Sequence, residues 1–276
     1  MVDLHARLIE YVNANSNIVD LQFDPTKQPP LHFDPCSEDP SERRRIAHYL
    51  LLVASVDEGN VVGEADNARK LMVGLHSLLR EKLFSADERV FSDALASLDM
   101  RLLTREAKLI PNILGSVNLF LSDRAKGDLI EYSRRFADPA AFAEGIAMNI
   151  LRMGRTPGST RKKTWMYLRW MVRGRPDLQL FNHLHPRGLF VPLDRNVARV
   201  AACLGMIPED HMNSLTWDDT VAVTDLARSI FPDDPAKVDY PFFLLGRKLR
   251  FSSTLSESSL LSAIGELRNG ERRINM

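Results

Sequence analysis

The sequence predicts an all-α fold. Apolar residues recur at three- and four-residue spacing along most of the chain. No stretch combines period-two alternation, β-branched enrichment and hairpin turns, so no strand is expected. Helix punctuation is also present. Gly205 follows the periodic run Val197, Val200, Ala201 and Leu204, where it can stop a helix.

Taken in order, residues 20–45 hold Pro25, Pro29, Pro30, Pro35 and Pro40 and read as an irregular surface stretch. Ile46 to Val56 is almost wholly apolar and predicts a central buried helix. Ala68, Leu71, Met72, Leu75, Leu78 and Leu79 follow helical spacing. Gly145 to Met153 reads as a helix with Ile146, Ile150 and Met153 on one face and Gly154 as its end. A short Pro157-Gly158 turn leads to a second helix from Arg161 to Arg173. Thr216 and Asp219 resemble a capping arrangement that opens a helix to about Ile230. Asp233, Asp234 and Pro235 break the chain, and Leu260, Ile264 and Leu267 line a last helix ended by Asn269-Gly270. There is no internal repeat and no low-complexity segment.

A chain of 276 residues suffices for one large domain or two modest lobes. With 45% apolar and 26% charged residues, its composition is that of a soluble globular protein. No apolar run approaches the roughly 18–20 residues that span a bilayer. The first ten residues lack the basic start and apolar block of a secretory signal. The two cysteines, Cys36 and Cys203, exclude a disulfide framework or a four-cysteine metal site. His183 and His185 are the only close histidine pair, with no spaced carboxylate partner. No metal and no cofactor is expected, and a reducing cytoplasm fits.

Net charge is zero, with 36 basic and 36 acidic residues, but its distribution is uneven. Residues 145–175 carry Arg152, Arg155, Arg161, Lys162, Lys163, Arg169, Arg173 and Arg175 and no acid. That segment is expected to form an anion-binding surface.

Two helices around a Pro-Gly turn make a helix-hairpin-helix. Free N–H groups at the second helix start accept a phosphate, and glycine lets the backbone come close. Gly158, Ser159, Thr160, Arg161 and Lys163 are the candidate phosphate contacts. Cations are mildly unfavourable at a helix N-terminus, and the same field favours an uncharged amine. Such an amine can attack a sugar C1′; the alternative is that the lysines only bind phosphate. Asp194 lies 32 residues after Lys162 and is a natural N-cap. Facing the amine, its carboxylate would stabilise an oxocarbenium-like sugar. Helical spacing puts Lys162, Met166, Arg169 and Arg173 on one face, and Trp165, Leu168 and Val172 on a core face.

Lys162 to Arg173 (KKTWMYLRWMVR), Val191 to Arg199 (VPLDRNVAR) and Asp233 to Tyr240 (DDPAKVDY) resemble the helix-hairpin-helix DNA glycosylase superfamily. The resemblance is to the archaeal 8-oxoguanine DNA glycosylase family and a related group of uncharacterised proteins. It implies two helical lobes with a lesion pocket between them. One lobe is built from residues 1–64 and 205–276; the other, 65–204, carries the hairpin (about 145–173) and the aspartate. It implies Lys162 as nucleophile, four residues after Gly158, with Asp194 as catalytic partner. Lys163, followed by threonine, is the runner-up nucleophile. Asp239 and Phe243 fall where the family contacts and stacks on the damaged base, and Met166 could line that pocket. Asp57 and Glu58 fall where the family has a base-reading glutamine, which this chain lacks. The hairpin departs from the Leu-Pro-Gly-Val-Gly pattern at Thr156 and Thr160.

The activity implied is that of a bifunctional DNA glycosylase/AP lyase excising oxidised purine, with 8-oxoguanine as the expected base. The partner would be double-stranded DNA holding a damaged base. The protein would be a cytoplasmic, nucleoid-associated prokaryotic monomer without a membrane contact. A monofunctional glycosylase for another lesion and a non-catalytic DNA-binding module are the alternatives.

Overall fold

The computed structural model describes residues 4–16, 34, 36–57, 67–98 and 108–274. Among them are twelve α-helices and no strand. They are α1 (Leu4–Asn15), α2 (Pro40–Val56), α3 (Asn67–Leu79), α4 (Glu88–Ala96), α5 (Ile110–Asp123) and α6 (Leu129–Ser133). The rest are α7 (Pro139–Asn149), α8 (Lys162–Val172), α9 (Arg195–Cys203), α10 (Trp217–Ile230), α11 (Asp239–Leu249) and α12 (Glu257–Ile274).

The chain divides into two compact units. One comprises Met1–Ile18, Gly158–Lys162 and Leu189–Met276; the other comprises Val19–Pro157 and Lys163–Gly188. The expected boundaries at 64/65 and 204/205 differ from these. The buried helix α2 groups with the middle of the chain, and Asp194 with α9 groups with the C-terminal helices.

The unit of the middle chain is built on α2 and α8. Every residue from Ile46 to Val56 is buried, and so is every residue from Lys163 to Val172. Two hydrogen bonds join them: Tyr167 Oη donates to Ala47 O at 3.1 Å and Lys163 Nζ donates to Ser55 O at 2.8 Å. Helices α3, α5 and α6 pack on α2. Ring contacts run in a chain through Phe120, Tyr132, Phe136, Phe142, Phe181 and Tyr167. Phe120, Phe142, Tyr167 and Phe181 are buried, and each contributes roughly 1.5–3 kcal/mol.

Helix α2 starts inside the stretch read as irregular. Pro40 is its first residue, behind Asp39, whose carboxylate accepts from Ser41 N. Proline at that position loses no helical hydrogen bond, so it opens the helix. The prolines from Pro25 to Pro35 lie outside the described residues.

In the other unit, Leu8, Tyr11 and Val12 of α1 join Val197 and Val200 of α9, Phe242 and Leu245 of α11 and Leu260 and Ile264 of α12 in one core. Helices α9 and α11 approach closely at Gly246. A Cβ built on Gly246 would lie 1.9 Å from Asn196 O, so only a glycine permits that separation. The expected caps are present. Gly205 is left-handed (φ 68°) behind α9, and Thr216 and Asp219 form a reciprocal capping box on α10. The expected stop at Asn269-Gly270 is absent, since α12 runs through both to Ile274. One glycine costs about 1 kcal/mol in a helix, too little to end it.

Candidate nucleic-acid interface and catalytic site

Helix α7 begins at Pro139, with Asp138 accepting from Ala140 N and Ala141 N. It ends at Asn149, because Ile150 turns to extended backbone (φ −113°, ψ 131°). The link to α8 is therefore residues 150–161, longer than the short turn expected. Four of them adopt positive φ: Arg152 (64°), Gly154 (104°), Gly158 (78°) and Arg161 (52°). A side chain at Gly158 would meet nothing within 4 Å, so the backbone there is open to a ligand's approach.

Side chains brace the link. In the middle-chain unit, Leu151 N donates to Ser116 Oγ, and Thr164 Oγ1 donates to Met153 O at 2.5 Å. In the other unit, Trp217 N donates to Gly158 O at 2.8 Å, and Arg161 N donates to Ser159 Oγ at 3.2 Å. Thr160 is half-buried beside them.

The two lysines have different surroundings. Lys162, the first residue of α8, is half-buried. Lys163 is 7% exposed and holds the last turn of α2 through Ser55 O. A buried ammonium against a helix C-terminal carbonyl is well placed electrostatically, but it is not a surface phosphate contact. Lys163 is thereby removed from the expected phosphate set and joins α2 to α8.

The basic surface shrinks further at the end of α8. Arg169 and Arg173 are 4% and 8% exposed, and both bind Asp177, which is itself 4% exposed. Arg173 Nη1 lies 2.7 Å from Asp177 Oδ2, and Arg169 Nη2 lies 3.5 Å from Oδ1. The helical face expected to hold Lys162, Met166, Arg169 and Arg173 is buried beyond its first residue, with Met166 at 3%. Exposed or half-buried cations of the segment are Arg155, Arg161, Lys162 and Arg175, with Arg152.

Asp194 caps α9. Its Oδ1 accepts from Asn196 N at 2.8 Å and Val197 N at 2.9 Å, and the residue is half-buried. Nearby, Arg199 Nη1 donates to Asn196 Oδ1 at 2.6 Å and reaches Gly246 O at 3.4 Å. Burial lowers the Arg199 pKa, Arg250 adds to that, and Asp194 opposes it.

Helix α10 holds both the turn at Gly158 and the segment leading to Asp194. Besides the Trp217 N–Gly158 O bond, Thr224 Oγ1 accepts from Val191 N at 3.1 Å, and Arg228 Nη2 reaches Leu189 O at 3.5 Å. Side chains form a ladder over the same region. The Arg161 guanidinium lies 5.7 Å from the Trp217 ring, Trp217 lies 4.8 Å from Phe190, and Arg228 lies 4.7 Å from Phe190. Phe190 and Trp217 are 27 positions apart, and no periodicity links them, so sequence reasoning missed the ladder. Ser55 was missed for the same reason; Asp177, four residues after Arg173, was missed because it lies beyond the end of α8.

The expected base-pocket residues fall in different places. Asp239, 8% exposed, is the first residue of α11. Phe243 is half-buried one turn later, with the Arg247 guanidinium 6.0 Å from its ring. Asp57 closes α2, its N–H bonded to Ala54 O and Val53 O. Asp57 and Met166 belong to the middle-chain unit, and Asp239 and Phe243 to the other. Glu58 lies outside the described residues. No group of three or more metal-ligating side chains occurs among the described residues. Both cysteines are free thiols, Cys203 buried and Cys36 exposed.

The sequence pattern of the family described as "Protein of unknown function (DUF2400)" matches residues 95–248, more than half of the chain. The chain belongs to the DUF2400 family. The DUF2400 region includes residues 150–161, both lysines, Asp194, Asp239 and Phe243. It begins after α2 and ends before α12. No curated protein matches the chain. No helix among the described residues is long and apolar enough to cross a membrane.

Proposed function

We propose that the protein is a DNA glycosylase with AP-lyase activity, acting on an oxidised purine such as 8-oxoguanine in duplex DNA. One observation carries the reading: Gly158–Lys162 and the Leu189–Asp194 segment are both fastened to α10 within one unit. That arrangement supports a fixed relation between the hairpin backbone, Lys162 and Asp194, as nucleophilic catalysis requires.

The hairpin N–H groups, with Gly158, Ser159, Thr160 and Arg161, hold the phosphates. The nucleotide is flipped out of the duplex, and its base meets Asp239 and Phe243 of α11. Flipping costs a few kcal/mol. The Lys162 amine, in its free-base form, attacks C1′. The C1′–N bond breaks, and the base leaves with the electron pair and a proton. Asp194 stabilises the cationic sugar. The C1′–O4′ bond then breaks, with O4′ taking a proton as the ring opens, and C1′ becomes an iminium of the lysine; it loses a C2′ proton, the C3′–O bond breaks, and the 3′ phosphate departs. Lys163 remains the alternative nucleophile, its amine held by Ser55 O in the last turn of α2. The capping bonds of Asp194 favour a second reading, a binding module in which that carboxylate is only an N-cap.

Borohydride trapping on a duplex with one 8-oxoguanine tests this, comparing wild type with Lys162→Ala, Lys163→Ala and Asp194→Asn. A covalent adduct lost in one lysine variant supports the mechanism and names the nucleophile. DNA binding without an adduct or strand cleavage refutes the lyase, and absence of free-base release from a lesion panel then leaves the binding module.

A further inference from the structure

Around Arg199 of α9 stand Arg195, Arg250 and Asp194, all within the unit that contains Leu189–Met276. Arg199 is half-buried, and its Nη1 reaches Gly246 O of α11 at 3.4 Å. Arg250, the cap of α11, donates its N–H to that same oxygen at 3.1 Å. One carbonyl thus ties the Arg199 guanidinium to the backbone of Arg250. Arg195 is the first residue of α9, directly after Asp194. Arg195 and Arg250 are both exposed.

The charges here do not balance. Among the described residues, Arg199 hydrogen-bonds neutral oxygens alone, Asn196 Oδ1 and Gly246 O. Burial lowers its pKa, Arg250 and Arg195 lower it further, and Asp194 alone opposes them. Asp194 Oδ1 is already taken by the N–H groups of Asn196 and Val197. The side chains of Arg195 and Arg250 make no hydrogen bond or ion pair among the described residues. Arg199 and Arg250 lie at the C-terminal end of α11, where the helix field favours a cation. That accounts for these two in structural terms. It does not account for Arg195, at the N-terminal end of α9, where the field opposes a cation. Like charges gathered around one carboxylate attract and are stabilised by an anion.

The next residue selects the kind of anion. Phe251 is 85% exposed, the most exposed large apolar side chain among the described residues. Inorganic phosphate offers such a ring nothing to cover it. A nucleic-acid strand presents phosphates and stacking surfaces together, which suits guanidinium groups beside an aromatic ring.

We propose that Arg195, Arg199, Arg250 and Phe251 form a DNA-contact surface. The three guanidinium groups hold backbone phosphates next to Asp194, and Phe251 packs on a base or sugar of the same strand. The choice of partner rests on the DNA reading given above. The surface adds to the contacts at residues 158–161 and does not depend on Lys162.

The test is fluorescence anisotropy of the full chain on a labelled duplex carrying a tetrahydrofuran abasic-site analogue, over a series of KCl concentrations. Each phosphate contact contributes about 0.9 to the slope of log K against log [KCl]. Arg195→Gln combined with Arg250→Gln should therefore reduce the magnitude of the slope by about 1.8 and weaken binding. Phe251→Ala should weaken binding roughly fivefold or more with the slope unchanged. All three side chains are exposed, so melting temperatures should match wild type. A double arginine variant with wild-type affinity and slope overturns the proposal, as does Phe251→Ala binding like wild type. A wild-type chain that does not bind the duplex also overturns it. The lyase reading fails separately: if the two expected effects appear and no borohydride adduct forms, this surface stands and the lysine chemistry does not.

Discussion

Replacing Gly246 by alanine tests how closely α9 and α11 are coupled. The added Cβ would stand 1.9 Å from Asn196 O, 2.4 Å from its carbonyl carbon and 2.7 Å from its Cα. All three are backbone atoms, so no rotamer change relieves the clash. Reaching even 3.0 Å from the oxygen requires the helices to part by more than 1 Å. Overpacking of this kind costs about 1–3 kcal/mol, and a backbone clash belongs at the upper end. Alanine in place of helical glycine returns about 1 kcal/mol. The net loss is about 2 kcal/mol, or roughly 4–8 °C in melting temperature for a chain of this size. Calorimetric melting of wild type and Gly246→Ala measures it. Asn196 lies two residues after Asp194, so adduct yield should fall at temperatures where both proteins are folded. A variant melting within 1 °C of wild type, with unchanged trapping, would refute the reasoning.

Asp177→Ala deprives two buried guanidinium groups of their shared carboxylate, and about 3–5 kcal/mol should be lost in urea unfolding. His48 has a folded pKa of about 4 against 6.5 when unfolded, so its contribution is complete above pH 6.5 and is lost as pH falls toward 4. The loss is on the order of 3 kcal/mol, and His48→Gln should flatten stability over that window. At α10, the hydrogen bond to Asp219 raises the His211 pKa. Burial pushes the Asp219 carboxyl upward, but bonds from His211 and Thr216 outweigh it and lower the pKa. The His211 contribution is therefore present below pH 6.5 and fades as pH rises through its folded pKa. His211→Gln should destabilise at pH 6 and be nearly neutral at high pH, as read by thermal melts.

Local signals were legible because their causes are local. The Asp194 cap, the Thr216–Asp219 box and the glycine behind α9 each act within four residues. The apolar run of α2 identified a buried helix without any partner being known. For α8 the same reasoning divided faces that are all buried, because arginine and lysine there read as solvent-facing. The hairpin link was underestimated for a related reason. Ile150 to Met153 keeps an apolar spacing that suits a helix, yet Ile150 is extended and Arg152 left-handed.

By itself the sequence determined that the chain is helical, where several helices begin, and which residue types could serve an amine-and-carboxylate chemistry. Only the tertiary structure decided which cations meet water. Lys163 finds its acceptor 108 residues earlier, at Ser55, and Arg169 with Arg173 share a carboxylate beyond the end of their own helix. A buried charge is tolerated only where a partner satisfies it, and that partner is a property of packing, which helical periodicity does not encode.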